Sequence, residues 1–207
     1  MKKLLITSLL LVSFAFGHSV ESAGAPPADL DPALVGVLQK DGIRVLDNAK
    51  KPWMELWFVN AMPSGAKSGE DAVTLTTVPH GAFLGVVRFP ERAADRRGQT
   101  MKPGLYTVRF SYYPQDGAHQ GAEPQRDFML MSLAAEDKDP KALPKFEDLI
   151  EASKKASGNP HPAVLSFWKV EAGDFKPGIE THESDQVLQT KIGDQPVAVI
   201  VVGRNAH

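Results

Sequence analysis

The stretch Lys102–Tyr113, KPGLYTVRFSYY, decides the fold class. Proline presets φ at the first central position of a turn, and glycine accepts positive φ at the second, so Lys102-Pro103-Gly104 reverses the chain. The residues that follow alternate. Tyr106, Val108, Phe110 and Tyr112 share one strand face; Leu105, Thr107, Arg109 and Ser111 share the other. The even-numbered face is expected to be buried. The same grammar recurs outward in both directions. Short β-rich runs stand at 34–39, 43–47, 53–59, 72–78, 83–89, 105–113, 127–133, 163–170, 186–192 and 197–202, with Gly, Pro, Asn and Asp between them. About ten such strands predict a mainly β chain, an antiparallel β-sandwich over residues 34–207, rather than βαβ units.

One segment breaks the period of two. In PKFEDLIEASKKASGNP, residues Phe146, Leu149, Ile150 and Ser153 fall on one helical face, and Gly158 is placed to end the helix. Glu151 and Lys155 are spaced to pair one turn apart. The apolar stripe is narrow, so this amphipathic helix is expected on the surface of the sheet.

The first 25 residues have the layout of a secretory signal peptide and leader. Lys2 and Lys3 precede 13 largely apolar residues, Leu4–Phe16, and small residues follow. The run is too short to span a bilayer comfortably, which takes roughly 20 apolar residues. Cleavage is expected between Gly17 and Ala25, and Pro26 disfavours a cut immediately before it. Residues 26–33 read as a flexible segment. No transmembrane segment is expected after cleavage. The chain has no cysteine, which closes both the lipoprotein route and disulfide cross-linking, so the exported domain must hold by its core alone. Removing residues 1–25 leaves 182 of 207, enough for one domain with a sizeable core. It also removes two lysines and one glutamate, moving the formal charge from −2 to −3. That charge gives no reason to expect nucleic acid as a partner. The runs are short for a lipid-embedded barrel, whose strands need about 9–11 residues.

The sequence contains no H-E-x-x-H, no G-x-S-x-G and no phosphate loop. Two candidate sites remain. The first is YYPQDGAHQGAEPQRDF, 112–128, where Asp116, His119, Glu123, Arg126 and Asp127 crowd into a polar loop beside the sheet. It reads either as a binding loop or as a connection pinned by its own charges, with Arg126 expected to pair with Asp116 near the opposite stem. His80, Asp116 and His119 form an alternative metal set; otherwise neither metal nor cofactor is expected. The second candidate is Trp53, Glu55 and Trp57, which share a strand face. Exposed, these indoles would stack on a sugar ring while Glu55 bonds its hydroxyls. Covered, they would be packing residues, with Glu55 paired to a cation.

The motif D-G-x-H-x-G (Asp116, Gly117, His119, Gly121), followed by P-x-R-D-F (Pro124, Arg126, Asp127, Phe128), resembles segments of uncharacterised exported bacterial β-sandwich proteins. The resemblance runs from about Pro52 to Val170 and implies export and fold but no activity. The expected function is a non-enzymatic binding or interaction module of the cell envelope, periplasmic or extracellular, with carbohydrate or another envelope component as partner. The rivals are a metal-dependent hydrolase using loop His and Asp ligands, and a structural envelope subunit.

Overall fold

A computed structural model of the chain describes residues 17–95, 98–113 and 126–203. The elements run β1 (Ser19–Gly24), α1 (Pro32–Val35), β2 (Gly42–Leu46), β3 (Pro52–Phe58), β4 (Phe83–Phe89), β5 (Ala93–Ala94), β6 (Thr100–Met101), β7 (Gly104–Tyr112) and β8 (Asp127–Leu133). There follow α2 (Phe146–Ser157), β9 (Val164–Lys169), β10 (Gly178–His182), β11 (Asp185–Ile192) and β12 (Gln195–Val202). Ten strands form one antiparallel sheet in the order β1-β2-β3-β4-β7-β8-β9-β12-β11-β10; β5 and β6 pair separately.

The fold is mainly β and antiparallel, as the alternating runs imply. The strands belong to one continuous sheet, and its end strands β1 and β10 come into contact, so it curls nearly into a barrel. The turn in topology comes after β9. There the chain crosses to β10 at the far edge, then returns through β11 to β12, which pairs with β9. No helix among the described residues is long and apolar enough to cross a membrane.

Period two fills the interior. Phe110 lies opposite Met129, Met129 opposite Leu165, and Phe167 opposite Val199, and all five belong to the main core. The alternate residues of β8 and β9, Phe128, Leu130 and Val164, make a second cluster on the other face, covered by Leu149 of α2. Both faces are therefore buried where the helix lies. The helix ends as expected: Gly158 adopts φ +70° and its N–H donates to the Lys154 carbonyl. Glu147 and Asp148 begin it and Lys154 and Lys155 end it, which complements the helix dipole. Lys155 pairs with Glu136 rather than Glu151, whose partner is Lys154 at 2.7 Å.

The even-numbered face of β7 is buried, but so is its odd-numbered face. Arg109 explains this. Its five N–H donors meet both Asp137 oxygens at 2.7 Å and the carbonyls of Gly81, Ala142 and Asp139 at 2.7–2.8 Å. A guanidinium has five donors, so the group is fully satisfied. It fastens the segment between β8 and α2 onto the sheet.

Two expected strands are absent. At 34–39, Asp31 caps a helical turn by accepting from the Ala33 N–H at 3.0 Å, with Pro32 at its first position. Leu34 and Leu38 then bury on one side. At 72–78, Val73, Leu75 and Val78 enter the core, but the Thr74 and Leu75 amides donate to the Asp127 carboxylate, which leaves them no ladder partner. Besides the short β5 and β6 pair, two strands of the main sheet lie outside the alternating runs. β10 is a half-exposed edge strand, and β1 occupies residues read as the tail of the leader. The 26–33 stretch, expected to be flexible, turns through a bond from Leu30 N–H to the Pro27 carbonyl and buries Leu30.

Candidate functional site

Glu55 is the polar centre of β3. Cross-strand register places Glu21, Arg44, Glu55 and Arg88 in one row across β1 to β4. Arg44 Nε donates to Glu55 Oε1 at 2.6 Å and its Nη1 to Glu21 Oε1 at 2.9 Å. Arg88 Nε and Nη2 donate to Glu55 Oε2. Opposite charges facing across strands stabilise the pairing. The two carboxylates hold the Arg44 guanidinium above its ordinary pKa, the hydrogen bond to Glu55 contributing most.

The indoles do not form an exposed stacking face. Trp57 is 1% exposed, its Nε1 donates to the Gly24 carbonyl at 2.8 Å, and Arg88 lies over its ring. Trp53 is half-buried and donates to the Val201 carbonyl at 2.9 Å, linking β3 to β12. Glu55 meets cations, and the tryptophans pack. Glu21 and Arg88, at the two ends of the row, stay 48% and 41% exposed, and buried Glu55 orients Arg88.

Arg88 lines a groove of about 990 Å³ built from four separate segments. Asp29 and Asp31 come from the turn before α1, Arg88 from β4, and Lys138 from the segment after β8; Leu105 and Pro103 add apolar surface. No local motif joins these residues, which is why the sequence does not single them out. The fold alone collects them.

The polar loop is described only at its stems. Asp116, His119 and Glu123 lie outside the described residues. Arg126 donates to the Tyr113 carbonyl through Nε at 3.0 Å, to the Asp71 carbonyl, and to Glu70 Oε2 at 3.1 Å. Its described carboxylate partner is Glu70, from the segment after β3; the expected partner, Asp116, lies outside the described residues. Asp127 is fully buried. Its Oδ2 accepts from Thr74 N–H at 2.8 Å, Thr74 Oγ1 and Leu75 N–H at 3.2 Å, while Oδ1 has no hydrogen-bond partner among the described residues. Burial raises its pKa, opposed by those bonds and by nearby Arg126. Thr74 Oγ1 also accepts from Lys169 N–H at 2.9 Å, so the carboxylate ties three segments together.

His80, of the alternative metal set, packs against Tyr112 and Phe146. Burial lowers its pKa, opposed by Pro144 and by Glu147. Among the described residues no three His, Asp or Glu side chains converge for a metal. Compared with protein families, curated proteins and solved structures, the chain matches none.

Proposed function

We propose that the chain is exported and serves as a non-enzymatic carbohydrate-binding module of the cell envelope, with the Asp29–Asp31–Arg88–Lys138 groove as its site. One observation carries the reading: Arg88 stands in the groove wall, partly exposed and held by the buried carboxylate of Glu55. A pre-oriented donor loses less entropy on binding than a free one. Vicinal sugar hydroxyls both donate and accept. Carboxylates and cations in one groove therefore suit them, while Leu105 and Pro103 offer surface to the C–H face of the ring. The buried ionisable groups Arg109, Glu55 and Asp127 are engaged in holding segments together, which favours a scaffold over a catalyst.

The test is binding of the purified mature protein to an array of neutral and acidic oligosaccharides, repeated with Asp29→Ala and Lys138→Ala. Both residues are exposed, so neither change disturbs the core. Each should weaken binding about tenfold, or ~1.4 kcal/mol. Binding unaffected by both variants removes the groove from the reading. A stoichiometric metal in protein purified without chelators or an affinity tag would transfer the reading to the hydrolase alternative.

A further inference from the structure

The apolar N-terminal run and the first strand of the sheet nearly adjoin. Ala15-Phe16-Gly17 has the small-x-small pattern that precedes a signal-peptidase cut, and Ala23-Gly24-Ala25 has it too, although Pro26 follows the second. Gly17-His18-Ser19 and Ser22-Ala23-Gly24 fit the pattern as well, so spacing alone leaves several positions between Gly17 and Ala25. The sheet separates them.

β1 begins at Ser19 and pairs antiparallel with β2, from Ser19 opposite Leu46 to Gly24 opposite Gly42. It is held by side chains as well. Glu21 completes the charged row through Arg44, and Ser22 Oγ donates to Asp41 Oδ1 at 2.6 Å. The Gly24 carbonyl is the acceptor for the buried Trp57 indole N–H, at 2.8 Å. A cut after Ala25 would remove all of this. It would strip the edge from β2, end the contact between β1 and β10, and leave a buried N–H without its acceptor, which costs more than the bond itself contributes. A cut after Gly17 removes none of these interactions. It gives up a bond from Lys50 Nζ to the Gly17 carbonyl at 3.2 Å, and Lys50 keeps Ser19 Oγ at 3.1 Å.

We propose that the chain is processed between Gly17 and His18, and that β1 is the first element of the mature protein. Hydrolysis of that peptide bond consumes one water. The hydroxyl goes to the Gly17 carbonyl carbon, giving the leader a C-terminal carboxylate, and the proton goes to the His18 nitrogen, giving the domain its α-amine. The site rests on the export reading, and the experiment distinguishes their failures.

The full chain is expressed with its native N-terminus in a bacterial host, and the periplasm, medium and cytoplasm are analysed by intact mass and N-terminal sequencing. The expected product is exported and 190 residues long, 207 less the 17 removed, beginning His-Ser-Val-Glu-Ser. Exported protein beginning at Pro26, or anywhere else past His18, overturns the site and leaves export standing. Full-length cytoplasmic protein with Met1 in place overturns both. Two variants sharpen the result. Gly17→Leu should abolish the His18 terminus, whereas Ala25→Leu, at an exposed position, should leave it unchanged. The reverse pattern overturns the proposal.

Discussion

Replacing Arg109 with methionine should be among the most damaging single changes available to this protein. The side chain is fully buried at the centre of β7, and its partner Asp137 is only 17% exposed. Methionine keeps much of the aliphatic stem but removes all five donors. Both oxygens of Asp137 and the carbonyls of Gly81, Asp139 and Ala142 lose their bonds to Arg109 at once, and Asp137 keeps the Thr107 hydroxyl at 2.6 Å. Removing one partner of a buried ion pair typically costs about 3–5 kcal/mol, because the remaining charge is stranded. Against a total stability of about 5–15 kcal/mol that is a large fraction. Urea denaturation followed by tryptophan fluorescence measures it. The double variant Arg109→Met/Asp137→Leu should recover part of the loss, since an apolar pair can replace a buried ion pair at little net cost. A single-variant loss below about 1 kcal/mol, or a double variant no better than the single, would refute the view that Arg109 fastens the segment before α2.

Three further outcomes are expected. A Cβ at Gly42 would collide with the Trp57 indole, so Gly42→Ala should cost about 1–3 kcal/mol and loosen β1; a neutral result in thermal melts would mean that the indole does not lie over β2. The His80 pKa is lowered in the folded state, so His80 favours the neutral form there. Its contribution is present above the unfolded value of 6.5 and is lost as pH falls through it, and His80→Phe should flatten that decline between pH 7.5 and 5.5 in urea titrations. The Asp127 pKa is raised by burial, and one of its oxygens has no described partner. Asp127→Asn should therefore stay within about 1 kcal/mol of the parent at neutral pH, while Asp127→Ala, which strands the Thr74 and Leu75 amides, should cost about 1–3 kcal/mol. Equal losses in the two Asp127 variants would contradict this.

The interior of the sheet was legible because burial on one face writes period two into the chain. Tyr106, Val108 and Phe110 announce it, and so do the runs that became β8, β9, β11 and β12. Where a strand contributes little to the core, that signal fades. Gly178–His182 is half-exposed and pairs through its backbone, so nothing in its side chains marks it. Ser19–Gly24 was obscured by the apolar run just before it. Val73, Leu75 and Val78 show the converse: apolar residues at strand-like spacing reach the core from a loop because Asp127 takes the amides. That carboxylate comes from a position 53 residues later, too distant for a local pattern to signal. The tryptophans of β3 were visible as candidates, but only the three-dimensional neighbours Gly24 and Val201 decide that they pack. The groove was invisible for the same reason, since Asp29, Arg88 and Lys138 are brought together by the fold.

Chemical-shift mapping tests carbohydrate binding at this groove most directly. Isotopically labelled mature protein is titrated with the oligosaccharides that bind on the array. The expected result is saturable shifts concentrated on the amides of Asp29, Leu30, Arg88, Leu105 and Lys138, with saturation moved to about tenfold higher saccharide in Lys138→Ala. Saturable shifts centred elsewhere, or no shifts with any saccharide up to millimolar concentration, would contradict it.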